Sequence, residues 1–461
     1  MSFKFNLVSA GAAREPITPP LEVGFLTSAI EGTWAPFQRV RKPLYARALV
    51  LEGPGAASGD APKGRLALVS LDLLALSSTA VGGFERFKAE ICKAASHAIS
   101  PEQLVLVCTH THSSPESAAI TDLYQTAPFK SWIGYLARQI SSAIASAVAS
   151  LTPCTLSYGS TLVPGLGIHR RFKTTRGIMM SHPTPPEEIL LSREGPVDHL
   201  LNLLALRDAQ KRPLALLINA TCHPVYEMCF PEVSPDYPGE LCCQLEEVHE
   251  GAVALFLNGA AGNINPDGVS AGHIPAVQHA NRLAEAVGLL LDRVPCAGRP
   301  TALLRWRSLT LPTRLPDGRD IGQTLITNVA ALRLGDAALA FLPGEPFAET
   351  GVAVREASPF TVTAVVGCSE ASIGYIPTDE AFAEGGYETG FGRWSVLAPG
   401  SEGALRSTAE HLLMELSEKG TRGDGDGPQA PLGPHDLGQS TMQANGHASV
   451  AKVRPSAGRS T

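Results

Sequence analysis

Short apolar, β-branched runs recur along the chain with helical periodicity between them, and that alternation restricts the fold more than any other feature of the sequence. Strand-like runs occupy residues 46–52, 65–71, 104–108, 214–220, 253–258, 329–334, 338–342 and 361–366. Apolar residues return at helical spacing over 84–99, 130–151, 239–248, 275–294, 347–356 and 402–416. Strands alternating with helices predict an α/β fold: a mixed, largely parallel sheet with flanking helices and a metal or ligand site at the carboxyl ends of its strands.

Residues 168–194, with Pro183, Pro185 and Pro186, read as a long loop, and a second polar, Gly-rich loop covers 382–393. Long loops in compact domains tend to be functional. From residue 420 onward there is no aromatic residue, which divides the chain into a folded domain over 1–419 and a flexible low-complexity tail over 420–461. With 37 Lys+Arg against 44 Asp+Glu the net charge is −7, and no cationic run exists to attract nucleic acid or an anionic membrane. No apolar stretch is long enough for a transmembrane segment, and the N-terminus lacks the apolar core of a signal peptide. Nine scattered cysteines without a C-x-x-C pair suit reduced thiols better than a disulfide framework. The expected location is therefore cytoplasmic and the expected partner a small-molecule substrate.

Three of the strand-like runs end in residues that bind metals or move protons. Residues 104–108 lead into Thr109-His110-Thr111-His112, 214–220 into Thr221-Cys222-His223-Pro224, and 338–342 into Pro343-Gly344-Glu345. Two or three imidazoles with one carboxylate make a zinc-type donor set that leaves a position for water. In an extended segment His110 and His112 share one face, so both can reach a common site, one as ligand and the other as its neighbour. A single His after a strand is equally at home on the surface or in the core. A fourth run, 253–258, enters Gly259-Ala260-Ala261-Gly262-Asn263-Ile264-Asn265-Pro266-Asp267. Its small residues either bring backbone N–H groups close to an oxyanion or simply turn the chain from strand to helix. Asp72 is placed to orient a ligand imidazole, while Asp236 and Tyr237 either shape a pocket floor or form a plain turn. Cys108 and Cys222 read as small buried packing residues.

Taken in order, C-T-H-T-H-S-S-P at 108–115, C-H-P at 222–224, S-P-D-Y-P-G at 234–239, G-A-A-G-N-I-N-P at 259–266, L-P-G-E at 342–345 and G-Y-I-P-T at 374–378 resemble the neutral/alkaline ceramidase family. The opening A-x-x-x-I-T-P-P from Ala13 and P-L-Y-A-R-A-L-V-L from Pro43 are similar too. The resemblance implies a zinc-dependent amide hydrolase that holds Zn2+ through His110, His223, Glu345 and Tyr375. It places His112 beside the metal as an acid/base or oxyanion partner, Arg170 where the family has an Asn-Arg pair near the substrate, and Tyr387 at a second tyrosine near the site. In such an enzyme zinc supplies hydroxide at neutral pH, His112 accepts or returns a proton, and Arg170, Tyr387 or turn N–H groups hold the oxyanion.

The departures narrow the expectation. Where the family carries G-D-x-S-P-N, this chain has Gly262-Asn263-Ile264-Asn265-Pro266-Asp267, so Asn265 stands at the serine position and Asn263 at the acid. Asn265 offers hydrogen bonds and no nucleophile. The chain also ends without the family's β-sandwich. The expected substrate is therefore an amide, or an ester, of a soluble molecule other than ceramide. True ceramidase activity is one alternative; it requires a deep apolar channel for two chains, which the 168–194 insertion would close. A non-hydrolytic biosynthetic step on the same metal (cyclisation, isomerisation or elimination) is another. A non-catalytic binding module has no physical need for a complete open metal site.

Overall fold

A computed structural model describes residues 2–5, 8–53, 64–96, 98–193, 195–298, 300–315 and 320–418. The expected tail over 420–461 lies outside the described residues. Three mixed sheets dominate. The first is built from β1 (Ser9–Pro16), β2 (Tyr45–Gly53), β3 (Gly64–Leu71) and β4 (Leu104–Cys108). The second contains β5 (Thr155–Leu162), β6 (Leu200–Arg207), β7 (Pro213–Ala220) and β8 (Val253–Asn258). In the third, β9 (Ala302–Arg314), β10 (Asp320–Leu334), β11 (Ala337–Phe341) and β12 (Val362–Val366) follow one another, with Ser2–Phe5 at the edge beside β9.

Within each large sheet one pair is parallel: β3/β4, β7/β8 and β11/β12. A parallel pair needs a crossover connection, and a helix supplies it in each case. The helices are α1 (Phe84–Ala94), α2 (Ala127–Ala149), α3 (Asp236–Val248), α4 (His273–Arg293), α5 (Ala348–Glu356), α6 (Asp379–Glu384) and α7 (Ser401–Glu418), of which α1, α3 and α5 are the crossovers. The mixed α/β class with flanking helices is thus present, but the parallel share is smaller than expected. All six strands of the parallel pairs are among the anticipated runs; β1, β5, β6 and β9, which are not, join by antiparallel pairing.

Period-two alternation decides which side chain enters which core. In β2, Leu49 and Leu51 point into a central cluster, while Ala48 and Val50 point the other way. That central cluster is where the three sheets meet, through residues such as Leu68 and Val107 of the first, Leu217 and Leu255 of the second, and Leu339 and Val366 of the third. Each outer face is covered by its own helices: α1 and α2 on the first, α3 and α4 on the second, α5 and α7 on the third. None of the described helices is long and apolar enough to cross a membrane.

The carboxyl ends of the parallel pairs converge, and hydrogen bonds between sheets hold them there. Cys108 N–H donates to the Cys368 carbonyl at 2.9 Å and Glu370 N–H to Leu106 at 2.7 Å, joining the first sheet to the third. Gly367 N–H donates to Asn258 at 2.9 Å, joining the third to the second. Asn258 Nδ2 donates to Thr109 at 3.3 Å and closes the ring.

The 168–194 segment is more ordered than a loop. Arg171–Thr174 is the centre of a three-stranded sheet with Gly177–Met180 and Leu190–Ser192, and Ile168–His169 pairs with Ile264–Asn265. These strands are two to four residues long, too short to show periodicity. Part of the second expected loop is likewise regular, with α6 ending at Glu384 and a 3-10 turn at Tyr387–Thr389.

Candidate metal centre

Three imidazoles and a carboxylate gather where the parallel pairs end. One nitrogen from each of His110, His112 and His223 lies within 4.8 Å of the others, and the ring centroids are 4.8 to 5.7 Å apart. The segment carrying His110 and His112 is not extended. His110 has φ 73°, a left-handed conformation, and this kink brings the two rings edge to face at 5.0 Å.

Backbone carbonyls fix the tautomers of two rings. His110 Nδ1 donates to Leu74 at 2.7 Å, and His223 Nδ1 to Ala261 at 2.6 Å. A carbonyl can only accept, so Nδ1 carries the proton in both rings and Nε2 presents a lone pair. Both lone pairs face one carboxylate oxygen: Glu345 Oε2 is 3.1 Å from His223 Nε2 and 3.2 Å from His110 Nε2. His110 Nε2 and His112 Nε2 are buried without a hydrogen-bond partner among the described residues. Acceptors turned toward each other repel unless a proton or a metal cation sits between them. The three imidazoles and Glu345 therefore fit a divalent metal.

Electrostatics agree with that donor set for His112, His223 and Glu345, while His110 is held toward its protonated form until an ion displaces the proton. Burial pulls the His112 pKa well below the ordinary value, and His110 and His223 push it further down. Burial and the Arg170 charge lower His223 to about 4. Both rings are thus neutral at physiological pH, the form that binds a metal. Burial opposes ionisation of Glu345 as well, but His110 and His223 outweigh it and hold the carboxyl well below its usual range. For His110 burial lowers the pKa, yet Cys368 and Glu345 beside it raise it well above the ordinary value.

Arg170 enters from the 168–194 segment and is 3% exposed. Its Nε donates to Glu388 at 2.8 Å, its Nη1 lies 3.3 Å from Asn265 Oδ1 and 3.4 Å from His223 Nε2, and the guanidinium lies 5.3 Å over the Tyr375 ring. Nη2 has no hydrogen-bond partner among the described residues. Tyr375 meets Tyr387 edge to face at 5.8 Å, and Tyr387 stacks on Trp394 at 5.4 Å. Burial raises both phenols above the ordinary tyrosine value, so each carries its proton. A cavity of about 430 Å³ opens over His110, His112, Glu345, Tyr375 and Tyr387, walled by apolar residues that include Leu26, Leu74, Ile120, Leu325 and Ile373.

His110, His112, His223, Glu345, Tyr375, Arg170, Tyr387 and Asn265 are thus gathered in one place. Other expectations fall elsewhere. Asp72 contacts no imidazole; it accepts from Arg47 at 2.8 Å and from Tyr45 N–H at 2.9 Å and ties β2 to the end of β3. Asp236 and Tyr237 open α3 and do not line the cavity; Asp236 accepts from the Glu227 and Tyr237 N–H groups, and Tyr237 donates to the Cys222 carbonyl. The 168–194 segment does not wall the cavity; its contribution is Arg170, which backs the site behind Tyr375. Cys108 and Cys222 are buried, as expected of packing residues. Glu388, which pairs with Arg170 and Arg171 together, had no motif to announce it beyond its place after Tyr387. Cys368 beside His110 and the carbonyls of Leu74 and Ala261 had none either.

Comparison with known proteins gives a fold. No family model matches the chain, and no curated protein matches it in sequence. A neutral ceramidase from Pseudomonas aeruginosa superposes with a TM-score of 0.68 at 20% identity, over 89% of this chain and 75% of that one. A ceramidase complexed with C2 gives a TM-score of 0.67 at 18% identity, over 92% and 77%. The three-sheet architecture is therefore ceramidase-like.

Proposed function

We propose that this chain is a zinc-dependent hydrolase of the ceramidase superfamily that cleaves an amide, or an ester, of a soluble substrate other than ceramide. The observation that carries the proposal is the pair of imidazole lone pairs turned on one oxygen of Glu345. His110, His223, Glu345 and Tyr375 would hold the ion, and all-N/O donors with a carboxylate suit Zn2+. Zinc, when bound, supplies Lewis acidity toward a carbonyl and hydroxide at neutral pH.

The chain's own residues account for the rest. His112 is neutral and its Nε2 is unpaired, so it can take the proton of the attacking water and return it to the leaving amine. Arg170 keeps its charge despite burial because Tyr375 and Glu388 favour it, and from behind Tyr375 that charge favours the developing oxyanion. Tyr387 is a protonated phenol that lines the cavity and can donate to the oxyanion directly. Asn265, with its carbonyl occupied by Arg170, keeps that guanidinium in place. A cavity of about 430 Å³ suits one small ligand better than two long acyl chains. Nine free thiols accord with a cytoplasmic location.

Metal content and product mass test the proposal together. Purified protein should carry about one zinc per chain, and His223→Ala should carry almost none. The zinc-loaded protein should convert short N-acyl substrates to products heavier by one water, faster than long-chain ceramide. A zinc-loaded protein whose product has the mass of its substrate would overturn hydrolysis, and a chain that takes up no zinc would overturn the metal centre.

A further inference from the structure

The cavity over the imidazoles has a polar floor, apolar walls and one cation at its open end. His110 on the floor is 3% exposed, whereas Arg393, the one arginine that lines the cavity, is solvent-exposed. Arg393 is not a loose surface side chain. It stands on a turn closed by Ser395 N–H donating to Gly392 at 2.9 Å, beside Trp394, which stacks on Tyr387 with the planes 9° apart. Its Nη1 donates to the Thr121 carbonyl at 3.1 Å across the mouth. The Thr121 loop is fixed in turn by the buried Glu116 carboxylate, which accepts from the N–H groups of Ala118, Ile120 and Thr121.

A carbonyl partner satisfies one N–H and leaves the other donors of the guanidinium open to a ligand. Among the described residues no carboxylate forms an ion pair with Arg393. In a chain of net charge −7, a guanidinium with no ion-pair partner among the described residues, held at the rim of the cavity, is placed to receive an anion. The remaining N–H donors of a guanidinium form a fork that fits a carboxylate.

Resting on the hydrolytic reading above, we infer that the substrate is an amide whose apolar chain ends in a carboxylate. The amide lies at the imidazoles, the chain runs between walls such as Leu26, Ile120 and Leu325, and the carboxylate meets Arg393. Cleavage breaks the amide C–N bond; water gives its hydroxyl to the carbonyl carbon and its hydrogen to the departing nitrogen. The carboxylate takes no part in the chemistry and sets which amides enter.

Binding of uncleavable probes tests this apart from catalysis. The probes are ω-(methanesulfonamido)alkanoates with chains of four to ten carbons, each beside the N-alkylmethanesulfonamide that lacks the carboxylate, titrated calorimetrically into the zinc-loaded protein. At the best length the carboxylate should bind about tenfold tighter than its uncharged partner. Arg393→Gln should reduce that preference to about twofold or less, and Arg393→Lys, which keeps the charge and loses the fork, should retain part of it. Equal binding of both probes, a preference that survives Arg393→Gln, or no binding at any length overturns the inference. Hydrolysis of the matching N-acetyl ω-amino acid is scored separately. A charged probe held through Arg393 with no cleavage of that amide leaves the ligand class standing and defeats the hydrolytic reading.

Discussion

Glu345 and Tyr375 are paired across a two-residue parallel ladder, so the carboxylate from the end of β11 and the phenol that follows β12 stand side by side. Two glycines make the ladder possible. Gly344 has φ 125° and a Cβ there would sit 2.3 Å from the Gly374 carbonyl; Gly374 has φ 81° and its Cβ would sit 2.3 Å from the Trp394 carbonyl. Tyr375→Phe removes the phenol oxygen and keeps the ladder. It should weaken zinc affinity about 10- to 100-fold in a chelator competition while stability changes by less than about 1 kcal/mol. Gly344→Ala should cost roughly 2–4 kcal/mol and release zinc as well. Unchanged zinc affinity in Tyr375→Phe would remove Tyr375 from the ligand set.

The Glu388 carboxylate is fully buried and accepts from Arg170 at 2.8 Å and Arg171 at 2.7 Å. Removing its charge leaves two buried guanidiniums with one acceptor fewer, and breaking a buried pair costs about 3–5 kcal/mol. Glu388→Gln should show that loss in urea denaturation. In the fraction that stays folded, kcat/KM should fall about tenfold or more, because Arg170 loses the bond that aims it. Full activity in Glu388→Gln would show that Arg170 is held well enough by Asn265 and Tyr375.

How much of this was legible in the sequence follows burial and chemistry. β4, β8, β11 and β12 are buried on both faces and read as apolar runs, broken only by Thr363 in β12 and by Asn258 at the end of β8. β1, with the sequence SAGAAREP, and β5, with TLSYGSTL, are small and polar and take their strand form from their neighbours. Because those strands pair antiparallel, missing them inflates the parallel share. At the site, imidazoles and a carboxylate after strands are visible because few residue types bind metals. The carbonyls of Leu74 and Ala261 that fix the tautomers are invisible, since every residue carries one. Asp72 lies one residue beyond β3, as expected of a group near the site, but Arg47 from β2 claims it.

Asn263 also has a structural reason. Its carbonyl accepts from Ala348 N–H at 2.8 Å, at the start of α5, and its amide donates to Glu349 at 2.8 Å. The acid that the ceramidase motif carries at this position would set two carboxylates against each other here. Asn263→Asp should therefore destabilise the protein by roughly 2 kcal/mol. Adding Glu349→Gln should restore most of it, and a double-mutant cycle reads the coupling directly. Additive losses in the double variant would mean that the two side chains do not communicate.

His279 supplies a pH signature away from the metal centre. Its ring stacks on Tyr237 at a centroid distance of 4.0 Å, with Nδ1 3.1 Å from the Tyr226 hydroxyl. Burial, with a smaller push from Arg282, lowers its pKa from 6.5 to about 3. On acidification the unfolded chain therefore takes up this proton first. Stability is untouched above about pH 6.5 and falls as pH drops toward the folded value, by roughly 3 kcal/mol at pH 4 for a shift of this size. His279→Phe keeps a ring against Tyr237 and removes the titration. Its urea-denaturation free energy should decline less steeply than wild type between pH 6.5 and 4, by up to about one proton in slope. Parallel pH profiles for the two proteins would mean that His279 gains its proton equally in the folded and unfolded chains, and the acid sensitivity would then belong to other groups.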